Sequence, residues 1–146
     1  MQLRGILETA VYATDLDAAQ DFYGRVLGLP LISRAAGRHV FFRCGEDVFL
    51  VFNAAETEVQ HSTVGGGIVP PHGAHGPSHM AFRVREDEIP AWREHLVSEG
   101  VAIESEITWP RGGRSIYFRD PAGHSIELAS PKLWGLAEEP AANGST

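Results

Sequence analysis

Residues 113–119, Gly-Arg-Ser-Ile-Tyr-Phe-Arg, restate residues 37–43, Gly-Arg-His-Val-Phe-Phe-Arg, with four of the seven positions identical. An offset of 76 residues held across a whole strand marks an internal repeat, and the flanking sequence extends it. Upstream, Glu8-Thr9-Ala10-Val11-Tyr12-Ala13 aligns with His79-Met80-Ala81-Phe82-Arg83-Val84, 71 residues on; each is followed by an amphipathic stretch that stops at a glycine, Gly28 or Gly100. Downstream, Gly45 to Leu50 aligns with Gly123 to Leu128 at an offset of 78. Each half reads as strand, helix and three strands. That pattern predicts an α+β fold of two βαβββ modules, about residues 5–53 and 79–130; if their mixed sheets curl toward each other, they surround a cavity.

The helices follow from spacing. Thr14 with Asp17 three residues on reads as a capping pair, and Leu16, Ala19, Phe22, Tyr23, Val26 and Leu27 form one apolar face. In the second half Pro90 sits near a helix start, and Ile89, Trp92 and Leu96 carry the stripe. Alternation assigns the strand faces. Thr9 and Val11, Val40 and Phe42, Val48, Leu50 and Phe52 are placed toward the first helix, and Met80, Phe82, Ile116, Phe118, Ile126 and Leu128 toward the second. The opposite, mixed faces then carry Glu8, His79, Tyr117, Ser125, Glu127 and the arginines.

Residues 54–78 are a Gly- and Pro-rich connection with Gly65-Gly66-Gly67, Pro70-Pro71 and His72-Gly73-Ala74-His75. It is longer than the ~12–15 residues usual for a structureless loop, and reads as a linker able to double as a lid. Residues 1–136 are expected to form a single domain, and residues 137–146 a flexible tail. The 12 basic and 19 acidic side chains, net charge −7, argue against a nucleic-acid or polybasic membrane partner. The single cysteine, Cys44, precludes an internal disulfide and fits a reducing compartment. No apolar run approaches the ~20 residues of a bilayer span, and Met1 to Glu8 does not read as a signal peptide. The expectation is a cytoplasmic protein.

If the mixed faces enclose a cavity, Glu8, His79 and Glu127 can converge there. Two carboxylates and an imidazole sharing an enclosed surface are stabilised most simply by one divalent cation, and an oxygen-rich set with one nitrogen suits Mn, Fe(II), Ni, Zn or Mg. The ordinary alternatives are ion pairs with Arg83 or Arg119 for the acids, and a carbonyl bond for His79.

Further matches carry a family resemblance: Asp15-Leu16 opening the helix, Asp21-Phe22-Tyr23 with Leu27-Gly28-Leu29, His79-Met80-Ala81-Phe82, and Tyr117-Phe118-Arg119-Asp120-Pro121-Ala122-Gly123-His124-Ser125-Ile126-Glu127-Leu128. The sequence resembles the vicinal oxygen chelate superfamily of glyoxalases, extradiol dioxygenases, fosfomycin-modifying thiol transferases and bleomycin resistance proteins. The resemblance implies up to four ligand positions, on the first and last strands of each half. They map to Glu8, where family members often carry His, to His79 and Glu127, and by the repeat to Phe49, which cannot ligate. It implies one divalent metal ion held by Glu8, His79 and Glu127, with positions open for a small oxygenated substrate; Glu8 or Glu127 could also serve as the base. Tyr117, Phe41, Phe49 and Arg119 are expected to line the substrate pocket.

Glyoxalase-like isomerase or lyase chemistry leads. A dioxygenase is weakened by one histidine where two are usual, and a thiol transferase gains from Asp120-Pro121-Ala122-Gly123-His124. A metal-free antibiotic-binding protein would use Tyr12, Phe41, Phe49 and Tyr117 as stacking walls. A homodimer is implied by resemblance.

Overall fold

The computed structural model describes residues 1–59 and 62–138, which divide into two units. The first comprises residues 1–78 with the turn Asp120–Gly123, and the second comprises His79–Arg119 with the chain from His124 onward.

In the first unit β1 (Glu8–Tyr12) leads into α1 (Leu16–Gln20), which continues as a wider π-helical coil over Asp21–Val26. Then follow β2 (Leu31–Ala35), β3 (His39–Cys44) and β4 (Asp47–Phe52). The sheet runs β1-β4-β3-β2, with β1 parallel to β4 and the other neighbours antiparallel. The cap of α1 is Asp15, not Thr14: Asp15 is the last extended residue, and its carboxylate accepts from the Ala18 amide at 2.9 Å. Gly28, at φ 73°, ends the helical stretch in the left-handed region that favours glycine.

Tyr23 is the centre of this unit's core. Its ring has no exposed surface and meets Phe49 edge-on at 4.6 Å, and its hydroxyl donates to the buried Asp120 carboxylate at 2.6 Å.

One strand departs from expectation. In β4 it is Phe49 and Val51 that face the helix, opposite Phe42 and Val40, whereas Val48, Leu50 and Phe52 lie on the other face. Every residue from Val48 to Phe52 is apolar, so alternation had no polar member to anchor it, and a one-residue slip exchanges the faces of a strand.

The second unit repeats the plan. β7 (His79–Arg83), α3 (Ile89–Ser98), β8 (Ser105–Thr108), β9 (Arg114–Arg119) and β10 (Ser125–Ala129) give a sheet ordered β7-β10-β9-β8, again with the outer pair β7 and β10 parallel. Pro90 lies in the first turn of α3, and Ile89 and Leu96 bury with Ile116, Phe118, Ile126 and Leu128. The chain is thus α+β, built from two open four-stranded sheets.

The connection is not bare coil. It holds a short helix, α2 (Ala54–Thr57), and a hairpin of β5 (Ser62–Val64) and β6 (Gly67–Val69). Most of the expected tail, residues 139–146, lies outside the described residues; Glu138 accepts from the Glu86 amide at 2.9 Å. Among the described residues no helix is long and apolar enough to cross a membrane.

Candidate metal centre

Strand register assembles the site in the second unit. β10 lies between β7 and β9, with Ser125 opposite His79 and Arg119, and Glu127 opposite Ala81 and Tyr117. Residues paired across strands share a face, so His79, Tyr117 and Glu127 point the same way. This is the mixed face read from alternation.

The His79 Nδ1 lies 3.1 Å from the Ser125 carbonyl oxygen. A carbonyl only accepts, so Nδ1 carries a proton and donates. In the neutral ring Nε2 is then a bare lone pair, and it faces Glu127 Oε2 at 3.3 Å. Two acceptors aimed at one another require a cation between them. The Glu127 side chain is only 8% exposed, so its charge cannot be left to water, whereas the His79 ring is half open.

Tyr117 supports the same carboxylate. Its hydroxyl bonds Glu127, and its ionisation is pushed up to about 12, first by burial and then by the Glu127 bond and charge, against the opposing bond from Ser115. The hydroxyl is therefore a donor throughout the neutral range. Ser115 is itself held by Trp109, whose indole Nε1 donates to its Oγ at 2.8 Å. The sequence reading passed over Ser115 and Trp109 as supports; the signal was their position flanking the Trp109–Gly113 turn, with Ser115 on the face of Tyr117.

A proton can fill the His79–Glu127 gap as an ion pair, and so can a metal. Two ligands ~2.1 Å from one ion, at angles between a right angle and a tetrahedral one, stand roughly 3.0–3.4 Å apart. The 3.3 Å separation falls in that range. Among the described residues, no group of three His, Cys, Asp or Glu side chains is assembled.

Glu8 belongs to the first unit, exposed at the start of β1 opposite Val48. Register makes it the counterpart of His79, since Val48 holds the place of Ser125. By the same rows Leu50, opposite Ala10 and Phe41, is the counterpart of Glu127, opposite Ala81 and Tyr117. This corrects the fourth position. Phe49 is 1% exposed in the core against Tyr23, so it is neither the repeat partner of Glu127 nor a pocket wall. The shared glycines Gly45 and Gly123 misled the alignment: five residues separate Arg119 from Ser125, but four separate Arg43 from Val48.

Of the other expected residues, Phe41 is half-buried in the first unit, stacked on His39 at 3.9 Å. Arg119 is engaged by Glu104 at 2.9 Å, which raises the guanidinium pKa further. His124, which closes the Asp120–His124 motif before β10, is buried. His72 meets the Tyr12 hydroxyl through Nδ1 at 2.7 Å, and His75 pairs with Glu58 at 2.7 Å.

The duplicated βαβββ plan agrees with a family model that matches residues 5–128, described as the glyoxalase/bleomycin resistance protein/dioxygenase superfamily. The chain belongs to this superfamily. A solved structure of this fold, a lactoylglutathione lyase from Agrobacterium tumefaciens, is 37% identical and superposes with a TM-score of 0.86, covering 93% of this chain and all of that one. The metallothiol transferase FosB of Bacillus licheniformis is 27% identical over 87% of this chain and 75% of its own length. The glutathione transferase FosA of Serratia marcescens is 28% identical over 86% of this chain and 80% of its own. Superfamily membership thus embraces relatives named for a lyase and for thiol transfer.

Proposed function

We propose that this chain is a divalent-metal-dependent enzyme that activates a small oxygenated substrate, with glyoxalase-like isomerase or lyase chemistry. The observation that carries the reading is the His79 Nε2 held toward the buried Glu127 carboxylate by the Ser125 carbonyl. His79 and Glu127 would supply two of its ligands.

A bound divalent ion would contribute Lewis acidity toward two neighbouring substrate oxygens. The protein's part is positional and electrostatic. The Ser125 carbonyl fixes the His79 tautomer, and Tyr117 donates to Glu127, which orients the carboxylate and offsets its charge. Glu8, exposed and acceptor-only when ionised, suits the proton-accepting role better than Glu127, which is already committed to two partners. Arg119 is positioned for an anionic group if Glu104 releases it. Assembly as a homodimer in the cytoplasm is part of the same proposal.

The test is metal analysis of protein purified without chelator, followed by assay of the hemithioacetal of methylglyoxal and glutathione, read as thioester formation. About one divalent ion per chain and a chelator-sensitive signal are expected. Replacing Glu127 with Gln should weaken metal uptake at least tenfold. Failure to take up Mn, Ni, Zn or Fe(II) would return the chain to the ligand-sequestering alternative.

Thiol transfer is the second reading, favoured by the relatives named as transferases. Glutathione addition to fosfomycin, with the hemithioacetal inert, would select it.

A further inference from the structure

The hydrogen bonds behind Glu127 run in one direction, and the residue that sets the direction lies outside the candidate metal centre. Trp109 is half-buried between β8 and β9 and opens the turn that joins them; its amide donates to the Gly113 carbonyl at 3.0 Å, and the Gly112 amide donates to its carbonyl at 2.9 Å. Its indole Nε1–H reaches Ser115 Oγ at 2.8 Å. An indole has a proton to give and accepts none, so Ser115 is the acceptor in this bond. The Ser115 hydroxyl still has its own proton to place. Ser115 is 1% exposed, out of reach of bulk water, and an orphaned buried donor is costly. Ser115, Tyr117 and Glu127 share one face, with Tyr117 two residues beyond Ser115 along β9 and directly across from Glu127. The Tyr117 oxygen can take the serine proton and send its own to the carboxylate, which only accepts. The raised pKa of Tyr117, due first to burial and then to Glu127, with Ser115 acting the other way, matches a hydroxyl that accepts from serine and donates to glutamate.

The turn that carries the indole has little freedom. Ser130, fully buried just after β10, accepts from the Arg114 amide through Oγ at 2.9 Å and donates its own amide to the Arg114 carbonyl at 3.0 Å. Gly113 lies against the helical turn Pro131–Trp134 at φ 92°, where a methyl group would stand 2.7 Å from the Leu133 nitrogen and 3.0 Å from Ser130 Oγ. The segment after β10 thus holds the turn, and the turn holds the indole.

We propose that Trp109 is a positioning residue for Glu127, acting through Ser115 and Tyr117, and that the segment after β10 governs the site through the Trp109–Gly113 turn. Trp109 touches neither metal nor substrate. It keeps a proton directed down the chain, which holds the carboxylate in one orientation toward His79. The consequence for metal affinity rests on Glu127 being a ligand, as proposed above; the hydrogen-bond chain stands without a metal.

The experiment uses Trp109→Phe, which keeps a ring and removes the donor, with Ser115→Ala and Tyr117→Phe breaking the later links. The first readout is the Glu127 side-chain carboxyl carbon in the NMR spectrum of the full, metal-free chain, assigned by its loss in Glu127→Gln. Trp109→Phe and Ser115→Ala should move that signal in the same direction as Tyr117→Phe, and Trp92→Phe, on α3, should leave it in place. The second readout is Mn(II) affinity by calorimetry. Trp109→Phe should weaken it about tenfold, and Gly113→Ala, which displaces the turn, should do the same. In a Tyr117→Phe background Trp109→Phe should add less than a twofold change, because the chain is already broken. Effects of Trp109→Phe and Tyr117→Phe that multiply in full would overturn the proposal, as would an unmoved Glu127 signal in both folded Trp109→Phe and folded Ser115→Ala. A moved signal in a chain that takes up no Mn(II) would uphold the positioning role and overturn the metal reading alone.

Discussion

The Tyr23 hydroxyl and the Asp120 carboxylate, 2.6 Å apart in the first unit's core, are the most consequential buried polar pair in that unit. Replacing Tyr23 with Phe keeps the ring against Phe49 but removes a donor from a buried carboxylate. Such a loss costs roughly 1–3 kcal/mol, which denaturant unfolding would measure; no change in midpoint would mean that solvent reaches Asp120. The same residue sets an alkaline limit. All three tyrosines of the chain, Tyr12, Tyr23 and Tyr117, have raised pKa values, each chiefly through burial. Below about pH 10 both the folded and the unfolded chain keep these protons, so the tyrosines leave stability flat. Above it the unfolded chain loses protons that the folded chain still holds, and stability falls with rising pH. Absorbance at 295 nm should show native tyrosines titrating above those of the urea-unfolded chain. Tyr23→Phe should remove part of the alkaline decline.

At the scale of elements, β4 decides how the first sheet is read. The glycine stops, the helical stripes and the alternation of β1, β3, β7, β9 and β10 are legible because each carries both polar and apolar residues in a fixed period. Val48 to Phe52 carries only apolar residues, and the span from Arg119 to its partner Ser125 is one residue longer than the span from Arg43 to its partner Val48, so neither pattern nor alignment fixes the faces. Pairing with β3 does. A consequence is that Phe49 should behave as core: Phe49→Ala is expected to cost about 3–5 kcal/mol, measured by urea or thermal unfolding. A pocket-lining ring would give a change within ~1 kcal/mol. The second sheet's site was more legible, since the alternation of β7, β9 and β10 puts His79, Tyr117 and Glu127 on one face. A carbonyl bond for His79 was legible too, but not that Ser125 supplies the carbonyl, because that depends on register between strands distant in sequence.

For the whole molecule, the duplication has produced one sheet face rich in ligand-type side chains and another rich in rings, on a chain of net charge −7. That charge complicates any claim of specific metal binding, because every divalent cation will screen self-repulsion among 19 acidic side chains. The two effects separate by scale. Screening is shared by all the acids, so neutralising one of them should remove only about a nineteenth of it. A site built on Glu127 loses nearly everything when that carboxylate becomes an amide. At a metal concentration of 100 times Kd, binding to the folded state alone adds about 2.7 kcal/mol, or roughly 5–10 °C in Tm for a chain of this length. Thermal unfolding with Mn or Zn, against a chelated sample at matched ionic strength, should show that rise in the natural chain, and Glu127→Gln should abolish it. Glu106→Gln, whose parent carboxylate pairs with Arg93 at 2.6 Å away from His79, should retain it. A rise that survives Glu127→Gln as well as Glu106→Gln would make the cation a screening ion and remove the ground for metal chemistry at His79 and Glu127.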